Sequence, residues 1–258
     1  MEYETAQGVT VPALGLGTAR MRGDTCRRAV LEALDLGYRH LDTAQMYGNE
    51  AAVGEAVGAA DADRDEVFLT TKILPRNLAR RDLLDSFNDS LDRLDTDYVD
   101  LLLIHAPSDT VPLAESLAAM NELQAEGEVR HVGVSNFDVA ETEAAIETSE
   151  TPIITNQVRY NPLHHQDELL DYCRSADVLL TAYTPLAKGQ VFEDERLVTL
   201  GQRYGKTVAQ VTLRWLVQQP GVVTIPMSSD PAHLAENLDV FDFELTEAEM
   251  ATVDGLAQ

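Results

Sequence analysis

The stretch Arg39–Glu50, RHLDTAQMYGNE, changes character part-way along. Arg39-His40-Leu41 reads as the end of a short strand, and Asn49-Glu50 as the start of a helix. Between them stand a carboxylate, Asp42, and a phenol, Tyr47. A strand that hands over to a helix through a polar turn is one βα unit, and the fold depends on how often the chain repeats it. Short apolar, β-branched runs recur on both sides of the stretch. LGLG lies near Leu14, VFLTTK starts at Val67, YVDLLLIH at Tyr98 and VRHVGVSN at Val129. PIITNQ starts at Pro152, DVLLTAY at Asp177 and GVVTIP at Gly221. With YRHLD near Arg39, that makes eight candidate strands.

Amphipathic helical patterns lie between most of these runs. RDLLDSFNDSLDRL puts Leu83, Leu84, Phe87, Leu91 and Leu94 on one stripe. VPLAESLAAMNELQAEG repeats the pattern, with Pro112 near its first turn and Gly127 just past its end. Alternating strand and helix argues for a parallel sheet, and eight such units in a chain of 258 residues fit a (β/α)8 TIM barrel. The one long gap, Asp177 to Gly221, holds two helical segments, so an extra helix is expected after strand 7. TVPALG near the start is expected to cap the barrel bottom. LTEAEMATVDGL should form a terminal helix with Thr246 and Glu249 as a capping box. No linker composition divides the chain, so residues 1–258 read as a single domain.

Charge narrows the function classes. Against 44 acidic residues stand 19 basic ones, for a net charge of −25. A polyanion of this size should repel nucleic acid and anionic lipid. The acidic residues are scattered over helix faces, as in DLLDSFNDSLDRLDTDYVD, and form no acidic tail. Their self-repulsion needs screening, and salt near 1 M screens within about 3 Å. A halophilic protein of a hypersaline cytoplasm is the expectation. No stretch approaches the roughly 18 uninterrupted apolar residues of a membrane helix. The first residues show neither the basic nor the apolar region of a signal peptide. Cys26 and Cys173 lie far apart and form no C-x-x-C, which suits a reducing compartment.

In a barrel the chemistry gathers at the C-terminal ends of the strands. Here those ends are polar. The second offers Asp42, the third Lys72, the fourth His105, the fifth Ser135 and Asn136, and the sixth Asn156 and Gln157. The seventh ends at Tyr183 and the eighth at Pro226. Each residue alone has a plain explanation, as a helix cap, a solvated charge or a core histidine. Asp, Lys and His on three successive strand ends, with a tyrosine just beyond, is harder to dismiss. A buried Lys72 ammonium needs a counter-charge, and Asp42 on the adjacent strand can provide it. The remaining positive field is expected to lower the pKa of Tyr47 from about 10 and make it a general acid. Its target would be a carbonyl oxygen about to become an alkoxide, and His105 could donate a hydrogen bond to the same oxygen.

These residues sit in motifs that resemble the aldo-keto reductase family over nearly the whole chain. LDTAQMYGNE, TK, YVDLLLIHAP, GVSNF, TNQVRYNP and AYTPLAKG match in order and spacing, and IPMSSDPAHLAENL matches with changes. The short length is most similar to the prokaryotic 2,5-diketo-gluconate reductase branch. The resemblance implies a catalytic tetrad of Asp42, Tyr47, Lys72 and His105, with hydride transfer from NADPH or NADH and no metal. It implies that Ser135, Asn136 and Gln157 hold the nicotinamide carboxamide and that Tyr183 stacks under the ring. It places Thr184, Pro185, Leu186 and Gly189 along the pyrophosphate. It places Ser228, Glu236 and Asn237 toward the adenosine end and counts Ile225, Pro226, Met227 and His233 among the cofactor-binding residues. The implied partner is a small carbonyl substrate, and a monomer is expected. A non-enzymatic regulatory subunit on the same fold is the alternative.

Two departures from the family pattern bear on specificity. The family usually carries bulky aromatics where Ala19, Leu74 and Ala106 stand, so a wider substrate pocket is expected. The family's lysine and arginine for the 2′-phosphate of NADP are replaced by Met227 and His233, with Asp230 between them. A weakened preference for NADPH follows. GLGTAR is not a dinucleotide G-x-G-x-x-G, because Arg20 takes the third glycine position. His164 and His165 read as a solvated loop, and His40, His131 and Cys173 as structural residues.

Overall fold

The computed structural model describes residues 2–257. Strands β1 (Tyr3–Ala6) and β2 (Val9–Pro12) form an antiparallel hairpin. The alternating units follow: β3 (Leu16–Gly17), α1 (Gly23–Leu36), β4 (His40–Asp42), α2 (Glu50–Ala59), β5 (Phe68–Ile73), α3 (Arg80–Leu94), β6 (Val99–Ile104) and α4 (Leu113–Glu126). The chain continues with β7 (Val129–Ser135), α5 (Val139–Thr148), β8 (Ile153–Arg159), α6 (Asp167–Ser175) and β9 (Leu179–Tyr183). Then come α7 (Glu195–Tyr204), α8 (Val208–Val217), β10 (Val222–Thr224), α9 (Pro231–Leu238) and α10 (Glu247–Asp254).

Strands β3 to β10 form one eight-stranded sheet in sequence order, every neighbour pair parallel. The ends meet. Gly15 N donates to Thr224 O at 2.8 Å, Thr224 N to Ala13 O at 2.8 Å and Gly17 N to Pro226 O at 3.0 Å. Eight parallel strands closed in this way are the (β/α)8 barrel expected from the alternation.

The two faces of each strand explain the core. Leu101 and Leu103 of β6 pack with Ile154, Leu179 and Val223, while Leu102 and Ile104 belong to the larger cluster shared with the helices. Ala6 and Val11 of the hairpin join the first group, and Gln7 N donates to Asp177 just before β9 at 2.8 Å. The hairpin therefore plugs the N-terminal end of the barrel; the cap expected at TVPALG is built from Tyr3–Pro12, and Ala13 to Gly15 lead into the first barrel strand instead. Both helices of the long gap form, as α7 and α8. Thr246 and Glu249 make the capping box of α10. Along α3, Leu83, Phe87 and Leu94 are buried, with Leu84 and Leu91 half-buried beside them. Among the described residues no helix is long and apolar enough to cross a membrane.

His165 differs from its sequence reading. Its ring stacks on Trp215 at 5.5 Å and meets Tyr160 edge-on, so it belongs to an aromatic cluster rather than a solvated loop. Trp215 is wholly buried on α8 and supplies an apolar face that the sequence run around His165 could not reveal.

Candidate active site

Asp42 ends β4, and Lys72 lies near the end of the neighbouring β5. Parallel register brings them together. Lys72 Nζ donates to Asp42 Oδ1 at 2.5 Å and to Thr43 O at 2.8 Å, and both side chains are buried. The second carboxylate oxygen accepts from Gln157 Nε2 at 2.7 Å, across the barrel mouth from β8. So each carboxylate oxygen of the desolvated pair has a donor and the ammonium has two acceptors, which helps the fold tolerate such a pair.

Tyr47 ends a 3₁₀ turn, Gln45–Tyr47. Gln45 anchors that turn. Its Nε2 donates to Ser86 O at 3.0 Å and Ser90 Oγ at 3.1 Å on α3, and its Oε1 accepts from Leu74 N at 3.1 Å and Asn77 Nδ2 at 3.2 Å. Arg22 donates to the carbonyl of Tyr47. Asn49 staples the loop from within, bonding Thr43 Oγ1 and the carbonyls of Thr18 and Met21. It precedes α2 as expected, but its side chain makes no capping bond. Lys72 Nζ lies 5.2 Å from the centre of the Tyr47 ring, and the His105 ring meets that ring edge-on at 5.8 Å. His105 follows β6; its N–H donates to Ile73 O at 3.1 Å, and its carbonyl accepts from Asn136 Nδ2 at 2.8 Å.

Burial sets the proton affinities. It lowers His105 to about 4, with the Lys72 charge adding to the effect, so the imidazole is neutral near pH 7. Its Nδ1 is buried without a hydrogen-bond partner. Burial alone would lower Lys72, but Asp42 and Tyr47 together outweigh it and the ammonium is held charged. Tyr47 is raised above its usual 10.0: burial outweighs the pull of Lys72, and Asp42 pushes the same way as burial. The sequence reading had the opposite sign, because it weighed the lysine without the desolvation of the phenol.

Asp42, Tyr47 and His105 open onto a cavity of about 380 Å³ at the C-terminal end of the barrel. Ser135, Asn136, Gln157 and Tyr183 line it, as do Thr184, Pro185, Leu186, Ile225, Pro226 and Met227. Asn136 accepts from the Tyr183 hydroxyl at 2.8 Å and donates to Ser135 Oγ at 3.0 Å, so these groups are pre-ordered. Lys72 lies behind the wall. Of the three small wall positions only Ala19 lines the cavity; Leu74 and Ala106 do not. Gly189, Ser228, His233, Glu236 and Asn237 also lie outside the lining, and Asn237 is buried beside the Tyr38 phenol. Asn156 turns to the helix side, donating to Phe137 O at 2.8 Å and Thr142 Oγ1 at 2.9 Å. Arg20 and Lys188 also line the cavity, although the sequence motifs assign neither a binding role.

A buried lysine–aspartate pair beneath a phenol, with a neutral imidazole beside it, has the makings of a proton-transfer site at a barrel mouth. The comparisons make the class definite. A family model described as the aldo/keto reductase family matches residues 13–258. The glyoxal reductase of Bacillus subtilis (strain 168) is 38% identical over 250 residues, covering 96% of this chain and 90% of its own. An aldo-keto reductase of Mycolicibacterium paratuberculosis is 42% identical over 247 residues, covering 95% and 86%. A crystal structure described as a 2,5-diketo-D-gluconic acid reductase B superposes with a TM-score of 0.98 at 46% identity, covering 100% of this chain and 92% of that one. An aldo-keto reductase of Bombyx mori in complex with NADP superposes with a TM-score of 0.93 at 32% identity, covering 99% and 92%. The chain belongs to the aldo/keto reductase family and is an NAD(P)H-dependent oxidoreductase of carbonyl compounds.

Proposed function

We propose that the enzyme reduces small aldehydes and dicarbonyl compounds, with Tyr47 as the proton donor. The observation that carries this reading is the convergence of Tyr47 and His105 on one cavity above the buried Asp42–Lys72 pair. When bound, the dinucleotide supplies the hydride. The chain's residues supply the proton and the field. A substrate oxygen seated between Tyr47 and His105 gains negative charge as hydride arrives at its carbon. The Tyr47 phenol is protonated at neutral pH and gives its proton to that oxygen. The phenolate left behind is stabilised by the charge of Lys72, which Asp42 and the Thr43 carbonyl hold in place. His105 is neutral, and with its proton on Nε2 it donates to the same oxygen without competing as an acid. Proton exchange with water restores Tyr47.

The cavity suits a nicotinamide. Tyr183 offers a flat ring, and the amides of Asn136 and Gln157 with the Ser135 hydroxyl match the donors and acceptors of a carboxamide. Dicarbonyls are the preferred substrate class because similar proteins are described as glyoxal and diketo-gluconic acid reductases. We read NADH as used at least comparably to NADPH, because Met227 is exposed and uncharged where the family places a cation. We further read residues 1–258 as one monomeric domain working in a hypersaline cytoplasm, on the strength of the net charge of −25 and the low lysine content. The test is consumption of NADH and NADPH with glyoxal, methylglyoxal and simple aldehydes at matched high KCl. Saturable oxidation with at least one dicarbonyl is expected. No turnover with any carbonyl at any salt concentration overturns the reading.

A further inference from the structure

Cations are scarce in this chain, so their placement is informative. Of its three lysines, Lys72 pairs with Asp42, and Lys206 pairs with Asp239 and Asp242. Lys188, the third, makes no ion pair and no side-chain hydrogen bond among the described residues. Arg20 likewise makes none. Both line the cavity that Tyr47 and His105 face. The sole acidic residue in that lining is Asp42, whose two oxygens are committed to Lys72 and Gln157. The cavity is therefore cationic inside a protein of net charge −25.

Topology sets the two cations on either side of one loop. Arg20 follows β3 and Lys188 follows β9, the two neighbours of β10 in the closed barrel. They flank the loop after β10 that carries Met227. Both residues hold left-handed backbone, with φ of 70° at Arg20 and 57° at Lys188. Asn136 and Thr184, also in the lining, share that conformation. Side chains held in this uncommon region around one cavity are a recurrent mark of a functional site.

Beyond Met227 the charge has the other sign. No lysine or arginine follows Arg214. At the start of α9, the Asp230 carboxylate already accepts from Ala232 N at 2.9 Å, so that helix end offers little to a second anion.

We propose that Lys188 and Arg20 form a two-sided clip on the pyrophosphate that NADH and NADPH share, replacing a 2′-phosphate clamp as the main charged hold on the cofactor. The proposal rests on the reading that this cavity holds NAD(P)H. A clip on the shared group adds affinity for both cofactors and discriminates between neither, so it leaves selectivity to the weakly anionic adenosine end.

The experiment is fluorescence titration of the full chain with NADH and with NADPH at matched KCl, on wild type, Lys188→Ala, Lys188→Arg and Arg20→Ala. Arg81→Ala, on the exposed face of α3, controls for the loss of one positive charge. The expected result is that Lys188→Ala and Arg20→Ala each weaken NADH and NADPH by the same factor, about tenfold or more, which corresponds to ~1.4 kcal/mol. Lys188→Arg should recover most of the loss, Arg81→Ala should bind like wild type, and inorganic pyrophosphate should compete less well against the alanine variants. Weakening confined to NADPH would overturn the assignment in favour of the 2′-phosphate. Unchanged affinity in both alanine variants, or an equal loss in Arg81→Ala, would also overturn it. A wild type that binds neither nucleotide would instead strike the reductase reading itself.

Discussion

Tyr47 and His105 face one cavity, yet burial pushes them to opposite ends of the pH scale. The phenol keeps its proton above 10.0, and the imidazole refuses one until about pH 4. The consequence for catalysis is a wide working range. For the free enzyme, kcat/KM of carbonyl reduction should stay level through the region near 6.5 where an ordinary histidine titrates, and fall only as pH approaches about 4. An acid limb centred near 6.5 would show that His105 is solvated. The same shift acts on stability. Between the ordinary histidine value of 6.5 and about 4, the unfolded chain binds a proton at His105 that the folded chain does not. That contribution to stability is fully present above the window and is lost as pH falls through it. Asp42, Lys72 and His105 were legible in the sequence because each closes an apolar run that had to be a strand, and Tyr47 because it lies in the polar turn just past one. The sign of the Tyr47 shift was not, since it depends on how deeply the fold buries the ring. Arg20 and Lys188 were not legible either. Their placement depends on a cavity lined by residues far apart in the chain.

At the level of elements, the barrel repeats a simple device: a strand ends, a polar residue points into the mouth, and a helix begins. The alternation of β-branched runs and amphipathic stripes was readable because sheet and helix impose periods of 2 and 3.6 on the apolar positions. The hairpin β1–β2 was legible only as a cap, because each of its strands is just four residues long. The turn that carries Tyr47 is a 3₁₀ segment with no apolar period at all, and Gln45 holds it against α3 and the loop after β5. Gln45→Ala would release the turn while leaving the cavity walls standing. Turnover should fall on the order of 10–100-fold, the usual loss when a reacting group is misplaced by an ångström or so. Nucleotide affinity and the far-UV spectrum should stay unchanged. Wild-type turnover in that variant would mean that Arg22 and Asn49 suffice to hold Tyr47.

The whole molecule is a polyanion wrapped around a small cationic cavity. Carboxylates crowd its helix faces, and many of its ion pairs lie exposed, such as Arg80–Glu122 and Arg81–Asp85. Exposed pairs of this kind contribute little individually, so screening dominates the salt response. The screening length falls from about 10 Å at 0.1 M to about 3 Å at 1 M. The melting temperature should therefore rise substantially between ~0.1 M and ~2 M KCl, followed by circular dichroism, with the net charge of −25 as the cause. A flat profile would remove the hypersaline reading. The reductase chemistry rests on one group more than any other, and a comparison of wild type with Tyr47→Phe under single-turnover conditions addresses it directly. Loss of only the phenolic oxygen should lower the rate of carbonyl reduction by about 10²–10⁴-fold while the affinities for NADH and NADPH stay within a factor of about two. A Tyr47→Phe enzyme that reduces the same carbonyl at close to the wild-type rate would contradict the account.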